Sequence, residues 1–382
     1  MRVVTKTADL EELSRELAAQ PFVAVDTEFM RETTYWPKLC VIQAAADGVE
    51  AAIDPLAPGL DLAPFLALMK NAKVLKVFHA ARQDLEIFLK LGEALPHPVF
   101  DTQIAAMACG YGDSIAYDAL VQQMLKRRLD KSSRFTDWAR RPLSDAQLAY
   151  AIADVTHLRD LYPRMREKLD REKRLDWLDE EHSKLLDPAI YDTTPENAWQ
   201  RLKLRKTTAD YVLGLQVAAA WRERQAQQRD VPRGRIVKDE ALYEIAEHRP
   251  KTAADFDRMR AVPRGFGNSR GAQELLAALD RAFNDPKRPV YKHDRPPSLP
   301  SSIGPTVELL KVLLRFEADR HQVAPRLIAS ASDIEAIAAS DEADVEALRG
   351  WRRKVFGERA LALKHGSIAL KLEDGKVAIE EL

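Results

Sequence analysis

The sequence predicts a mixed α/β domain, an α+β sheet with helices on its faces, followed by a mostly helical second half. Three patterns carry this expectation: apolar runs bounded by turn residues open the chain, strand and helix character alternate after them, and helical periodicity dominates beyond about residue 200. Strands first and then strand and helix in alternation give a mixed sheet. Phe22 to Val25 is a short apolar run that reads as a buried strand and ends in the pair Asp26 and Glu28. Leu39–Ala46 and Val49–Ile53 flank Asp47-Gly48, a two-residue hairpin signal, so three antiparallel strands are expected to open the fold. Val74–Phe78 reads as a fourth strand, Asp84–Leu91 as the helix after it, and Val99-Phe100 as a short fifth strand leading through Asp101-Thr102 into helical sequence. From an N-cap at Ser144, Leu148, Ile152, Val155, Leu158 and Leu161 recur at helical spacing.

A chain of 382 residues is too long for one ordinary core. Linkers are expected at Asp187–Pro195 and, richer in proline, at Asp285-Pro-Lys-Arg-Pro and Arg295–Pro300. They divide the chain into a mixed α/β domain over 1–190, a helical domain over 201–285 and a second over 303–382. The two helical segments share a faint repeat: Val231, Ile236, Leu242, Ile245 and Ala246 each have an apolar counterpart 92 positions later, at Val323, Ile328, Ile334, Ile337 and Ala338. The tail alternates around Asp374-Gly375 and reads as a terminal hairpin.

Composition excludes several classes. Cys40 and Cys109 are the only cysteines and both lie in apolar stretches, which gives no disulfide framework and favours a reducing, cytoplasmic setting. The N-terminus lacks the layout of a secretory signal and no apolar run is long enough to span a bilayer, so no membrane role is expected. Net charge is −1 but is unevenly spread: residues 1–200 carry 25 Lys and Arg against 32 Asp and Glu, whereas residues 201–300 carry 21 against 13. An acidic first half beside a basic middle suits a metal site next to a module that holds a polyanion. A solvated basic helix face is the plainer explanation.

Four carboxylates are the most informative residues. Asp26, Glu28, Asp84 and Asp154 each adjoin an apolar segment, and burying an anion without a partner is costly. Oxygen ligands without a His or Cys cluster point to Mg²⁺ or Mn²⁺. Asp26 and Glu28, two apart on a strand, leave one face together. Asp84 lies near the start of its helix, where the dipole favours an anion, and Tyr150 and Asp154, four apart, share a helix face. Such a set can hold two cations about 3.5 to 4 Å apart, the arrangement that serves in-line phosphodiester displacement. Tyr150, with an ordinary pKa near 10, is a poor base and better suited to positioning the attacking water, unless it is simply a packed aromatic.

Asp26-Thr-Glu28, Asp84 and Tyr150-x-x-x-Asp154 resemble the three motifs of the DEDD exonuclease superfamily in its tyrosine-bearing branch. The likeness extends through Thr34–Gln43, His79–Phe88, Phe100–Gln103 and Asp130–Trp138, so the chain closely resembles the ribonuclease D family. It implies an RNase H-like exonuclease domain, two divalent cations, Asp26, Glu28, Asp84 and Asp154 as their ligands, and 3'→5' release of nucleoside 5'-monophosphates from RNA. Precursors of tRNA and other small structured RNAs are the implied substrates, and a monomer is expected. The two later segments resemble small all-α HRDC domains, the second only faintly. A single-stranded DNA exonuclease is the alternative of the same class, and a non-catalytic RNA-binding protein the alternative of another, against which the intact acidic set argues.

Expected nucleic-acid contacts are Lys203, Arg205, Lys206, Arg233 and Arg235, with Arg264 and Arg270 further along, because Lys and Arg supply most sequence-independent affinity. Phe29 and Tyr35 are candidates to stack on the terminal base, core packing being the alternative for Phe29. His79 suits a structural hydrogen bond better than a catalytic role, and Asp101 either joins the acidic set or caps the next helix. Gly265 and Gly267 could admit a phosphate close to the backbone or could belong to a plain loop.

Overall fold

A computed structural model describes residues 1–288 and 303–382. The Pro-rich segment expected at Arg295–Pro300 lies outside the described residues. The chain forms two compact units, one from Met1–Glu28, Val41–Asp187 and the described part of Pro297–Leu382, the other from Phe29–Cys40 and the described part of Pro188–Pro296.

The first unit is built on a six-stranded sheet of strands β1 (Arg2–Val4), β2 (Phe22–Met30), β3 (Lys38–Ala46), β4 (Val49–Ile53), β5 (Leu75–Phe78) and β6 (Val99–Asp101), in the order β1-β4-β3-β2-β5-β6. The β3–β4 hairpin forms as expected, antiparallel, with Ala46 opposite Val49 and Gly48 at φ 69° in its turn. Two features depart from the sequence reading. A three-residue strand, β1, pairs in parallel with β4, too short to be legible against its neighbours. β2 also runs on to Met30, past the acidic pair that was expected to end it. Val23, Ala24 and Val25 are fully buried because β2 is central, and a strand covered on both faces is apolar without alternation.

Helices α1 (Thr7–Ala18), α2 (Ala63–Lys70), α3 (Arg82–Gly92), α4 (Thr102–Ala108), α5 (Tyr117–Leu125), α6 (Asp145–Arg171) and α7 (Asp179–Leu185) complete this part. Ser144 caps α6 in a reciprocal box: its hydroxyl accepts from the Gln147 amide nitrogen at 3.2 Å and the Gln147 side chain accepts from the Ser144 amide at 3.0 Å. Val155, Leu158, Leu161, Met165 and Leu169 of α6 are buried in one cluster with Ala24 of β2 and Val77 of β5. The long helix is thereby fixed to the strand that carries Asp26 and Glu28 and to the one that leads into α3.

The same unit includes α13–α17 (Gly304–His321, Pro325–Ile328, Ala331–Ala339, Gly350–Arg352, Glu358–Lys364) and an antiparallel hairpin of β7 (Ile368–Glu373) and β8 (Lys376–Glu381), whose turn places Asp374 and Gly375 at φ 52° and 75°. Ala324 and Leu327 are buried in the α4–α6 cluster, and the Ala324 N–H donates to the Met107 carbonyl at 2.9 Å. Trp177 and Trp351 stack at 4.0 Å between centroids, 3° from parallel. Arg352, 3% exposed, donates to the Leu327 carbonyl at 2.9 Å, to Glu181 at 2.8 Å and to Glu180.

The second unit contains α8–α12 (Ala209–Gln228, Arg233–Ile236, Asp239–His248, Ala253–Phe256, Arg270–Asn284) around a core of Leu215, Ala218, Leu242, Ile245, Leu275 and their neighbours. The repeat of period 92 has a structural counterpart. Residues 233–236 and 325–328 form the same short helix, the next helices start at 239 and 331, and Asp230 and Gln322, each three positions ahead of the short helix, adopt left-handed φ of 46° and 51°.

Candidate active site

Asp26 and Glu28 lie on the part of β2 beyond its pairing with β5, which ends at Ala24 opposite Val77. Ligand-capable oxygens of Asp26, Glu28 and Asp154 fall within 4.8 Å of one another. Asp84, third residue of α3 and 6% exposed, joins them through the Thr27 hydroxyl, which donates to its carboxylate. Strand β2, the start of α3 and the first half of α6 therefore meet. The site sits at the C-terminal ends of parallel strands β2 and β5, where open α/β sheets leave room for ligands.

The turn between β5 and α3 is held by Asp101. Its carboxylate accepts from Ala80 N at 2.9 Å, Ala81 N at 2.8 Å and Gln103 N at 2.7 Å, with Ala80 at φ 58°. Asp101 thus caps α4 and fixes the start of α3 rather than joining the acidic set. His79 Nδ1 lies 2.9 Å from the Thr102 hydroxyl, the structural bond expected of it. On α6, the Tyr117 hydroxyl donates to the Asp154 carbonyl. Tyr150 hydrogen-bonds the Asp154 carboxyl, and its ring packs 6.0 Å from that of Trp138.

A cavity of about 310 Å³ opens over these groups, walled by Gln103, Tyr117, Lys131 and Arg134 among others. Sequence reasoning did not single out these four. Lys131 and Arg134 fall within the Asp130–Trp138 segment that carried the family likeness, which was the available signal. Tyr117 had none, because its partner lies 37 residues away.

The electrostatics of the site call for added positive charge. Burial first, and then the charge of Asp154, push Asp26 up to about 8. Glu28 is pushed to about 9 by burial and by Asp26, Asp154 and Asp84, with Arg134 opposing. Burial raises Asp154 to about 7 against the Tyr150 hydrogen bond and Arg134, and burial with Asp26 holds Asp84 well above the usual carboxylate range. Anions so crowded ionise together only beside added positive charge. The donors are all oxygen and converge within a few ångströms, which fits a hard divalent cation.

The expected nucleic-acid contacts fare differently. Lys203, Arg205, Lys206 and Arg235 are exposed, though Arg205 pairs with Glu240 at 2.7 Å and Lys206 with Glu247 at 2.5 Å. Arg233 is two-thirds covered and holds the buried Glu223 through two bonds of 2.6 and 2.7 Å. Tyr35 cannot stack on a base: it is 4% exposed, its hydroxyl bonds Glu223, and the Arg233 guanidinium lies 4.7 Å from its ring centroid. Its aromatic ring is better used within the core of the second unit. Phe29 is half-buried on β2.

Fold and site together define a 3'→5' exonuclease. The 3'-5' exonuclease family model matches residues 1–170 and the HRDC domain model residues 215–279. The chain is 50% identical to ribonuclease D of Nitrobacter hamburgensis over 99% of its own length and 98% of that protein, and 48% identical to ribonuclease D of Granulibacter bethesdensis over 98% and 95%. It matches the crystal structure of Escherichia coli RNase D, an exoribonuclease involved in structured RNA processing, with a TM-score of 0.79 at 27% identity, covering 96% of this chain and 98% of that one. The chain belongs to the ribonuclease D family, and it is a 3'→5' exoribonuclease of the divalent-metal-dependent DEDD group.

Proposed function

We propose that Asp26, Glu28, Asp84 and Asp154 hold two divalent cations, Mg²⁺ or Mn²⁺, and that the enzyme releases nucleoside 5'-monophosphates from the 3' ends of tRNA precursors and other small structured RNAs. The observation that carries this reading is the convergence of the Asp26, Glu28 and Asp154 oxygens within 4.8 Å, with Asp84 tied in through Thr27. When bound, the cations supply positive charge to the phosphate oxygens and acidify the attacking water.

The chain's own groups do the rest. Thr27 and the turn held by Asp101 fix the Asp84 carboxylate. Tyr117 fixes the backbone of α6 at Asp154. Burial and the Asp154 charge raise the Tyr150 pKa, so its hydroxyl keeps its proton at neutral pH and serves to orient the water rather than to deprotonate it. Arg134, which already opposes the negative charge on Glu28 and Asp154, is suited to a phosphate of the incoming strand. Lys203, Arg205, Lys206 and Arg235 offer the second unit's phosphate contacts, which give affinity without sequence preference.

The test is a single RNA labelled at either end. With Mg²⁺, the 3' label should appear first as a mononucleotide 5'-phosphate and the 5' label as a descending ladder. Internal fragments, or hydrolysis undiminished in excess EDTA, overturn the proposal. A tRNA precursor with a short 3' trailer should be trimmed back toward its mature end, and an untouched trailer beside degraded linear RNA removes the tRNA assignment alone.

A further inference from the structure

Phe135 is 90% exposed, more than any other large apolar side chain among the described residues. It does not sit on a loose tip. Arg134 N bonds the Lys131 carbonyl at 3.2 Å and Thr136 N the Ser133 carbonyl at 3.3 Å, Ser133 is 4% exposed, and the Gln147 side-chain amide donates to the Thr136 hydroxyl at 3.1 Å and the Asp137 carbonyl at 3.2 Å. The loop is thus fastened to the capped start of α6, and the ring is held outward. The cavity wall lies within the same few residues, since Lys131 and Arg134 line it. The Arg134 guanidinium also stands 5.1 Å from the Phe135 ring centroid.

A flat apolar ring backed by a guanidinium, next in sequence to the Arg134 that lines the cavity over the carboxylates, matches the face of a nucleobase. A strand leading away from the carboxylates would meet Arg134 with a phosphate and Phe135 with a base. We propose that Phe135, with Arg134, forms a stacking platform for one unpaired base near the 3' end of the RNA, a subsite that makes the enzyme prefer a single-stranded 3' end. This rests on the exoribonuclease reading and adds to it a determinant of substrate form. A paired 3' nucleotide is held against its complement and cannot swing its base out onto the ring, whereas an unpaired one is free to do so.

The experiment compares the full-length enzyme with Phe135→Ala and Phe135→Trp on a linear RNA in Mg²⁺, and on the same RNA with one abasic nucleotide at each of its last few positions. Phe135→Ala should raise KM by roughly 5- to 100-fold, the range expected for one base–aromatic stack, with kcat and melting temperature little changed, and Phe135→Trp should retain wild-type KM. One abasic position should weaken the wild type by a similar factor and leave Phe135→Ala indifferent. Unchanged KM in Phe135→Ala, or an equal loss from every abasic position in both proteins, overturns the platform while leaving the exonuclease intact. Failure of the wild type to degrade any of these RNAs overturns both.

Discussion

Asp26 shows most directly what crowding and burial do to a carboxylate. Without cations the folded protein holds Asp154, Asp26 and Glu28 protonated up to about 7, 8 and 9, against ordinary values of 3.8 for Asp and 4.5 for Glu. Between about pH 4 and about pH 9 the native state therefore binds more protons than the unfolded chain, and its stability falls as pH rises. Calorimetry in EDTA should record a melting temperature that drops from about pH 5 to about pH 8, and saturating Mg²⁺ should restore more at the higher pH. A Mg²⁺ effect that does not grow with pH would show that the carboxyls do not repel one another as described. Asp26→Asn should abolish turnover, by ~10³-fold or more, yet stabilise the cation-free protein at about pH 8 by ~1–2 kcal/mol, since it removes one of the crowded charges. Tyr150→Phe should slow hydrolysis roughly 10- to 100-fold with Mg²⁺ affinity unchanged, measured by titration calorimetry beside kcat. At this scale the sequence was highly informative, because an acid next to a buried run has few explanations. Tyr35 was misread for the opposite reason: an aromatic residue's sequence neighbours do not reveal whether a distant Glu223 and Arg233 will enclose it.

Elements set where those residues point, and here distant partners decide. Spacing gave β3, β4 and α6 closely, but β1 at three residues carries too little pattern, and the continuation of β2 past Glu28 depends on neighbouring strands rather than on its own residues. The segment before α6 is fixed by Arg141, which grips Asp54 at the end of β4 with bonds of 2.6 and 2.7 Å and the Trp138 carbonyl at 2.7 Å. Trp138 in turn backs the Tyr150 ring. No local signal announces an ion pair across 87 residues. Asp101 is the comparable device for α3. Asp101→Ala removes the acceptor of three backbone N–H groups and should destabilise the fold by roughly 1–3 kcal/mol and weaken Mg²⁺ binding roughly tenfold or more by loosening Asp84. Titration of the variant with Mg²⁺ checks this, and wild-type affinity would mean that Asp84 is held by Thr27 alone.

Across the whole molecule, the two helical repeats share a backbone plan but not a surface. The copy in the second unit presents exposed Lys203 and Arg235, so raising salt from about 50 to about 200 mM should raise KM for RNA steeply, and Lys203→Glu with Arg235→Glu should flatten that dependence. In the C-terminal copy Arg352 is turned inward: it binds Glu180 and Glu181 on α7, and the next residue, His182, accepts a hydrogen bond from Asp101 N at 3.0 Å. Arg352→Ala should cost roughly 2–4 kcal/mol, less than a fully buried pair because both glutamates keep part of their hydration, and denaturant titration measures it. The sequence showed the repeat but not this difference, since an arginine that solvates and one that is buried look alike until their partners are known.

The parallel indoles of Trp177 and Trp351 give the protein a built-in optical gauge. Two chromophores face to face at 4.0 Å couple their transitions, so near-ultraviolet circular dichroism should carry a paired signal that vanishes when the C-terminal helices lift from the catalytic fold. Detachment of that segment can thus be followed without a label, separately from melting of the sheet.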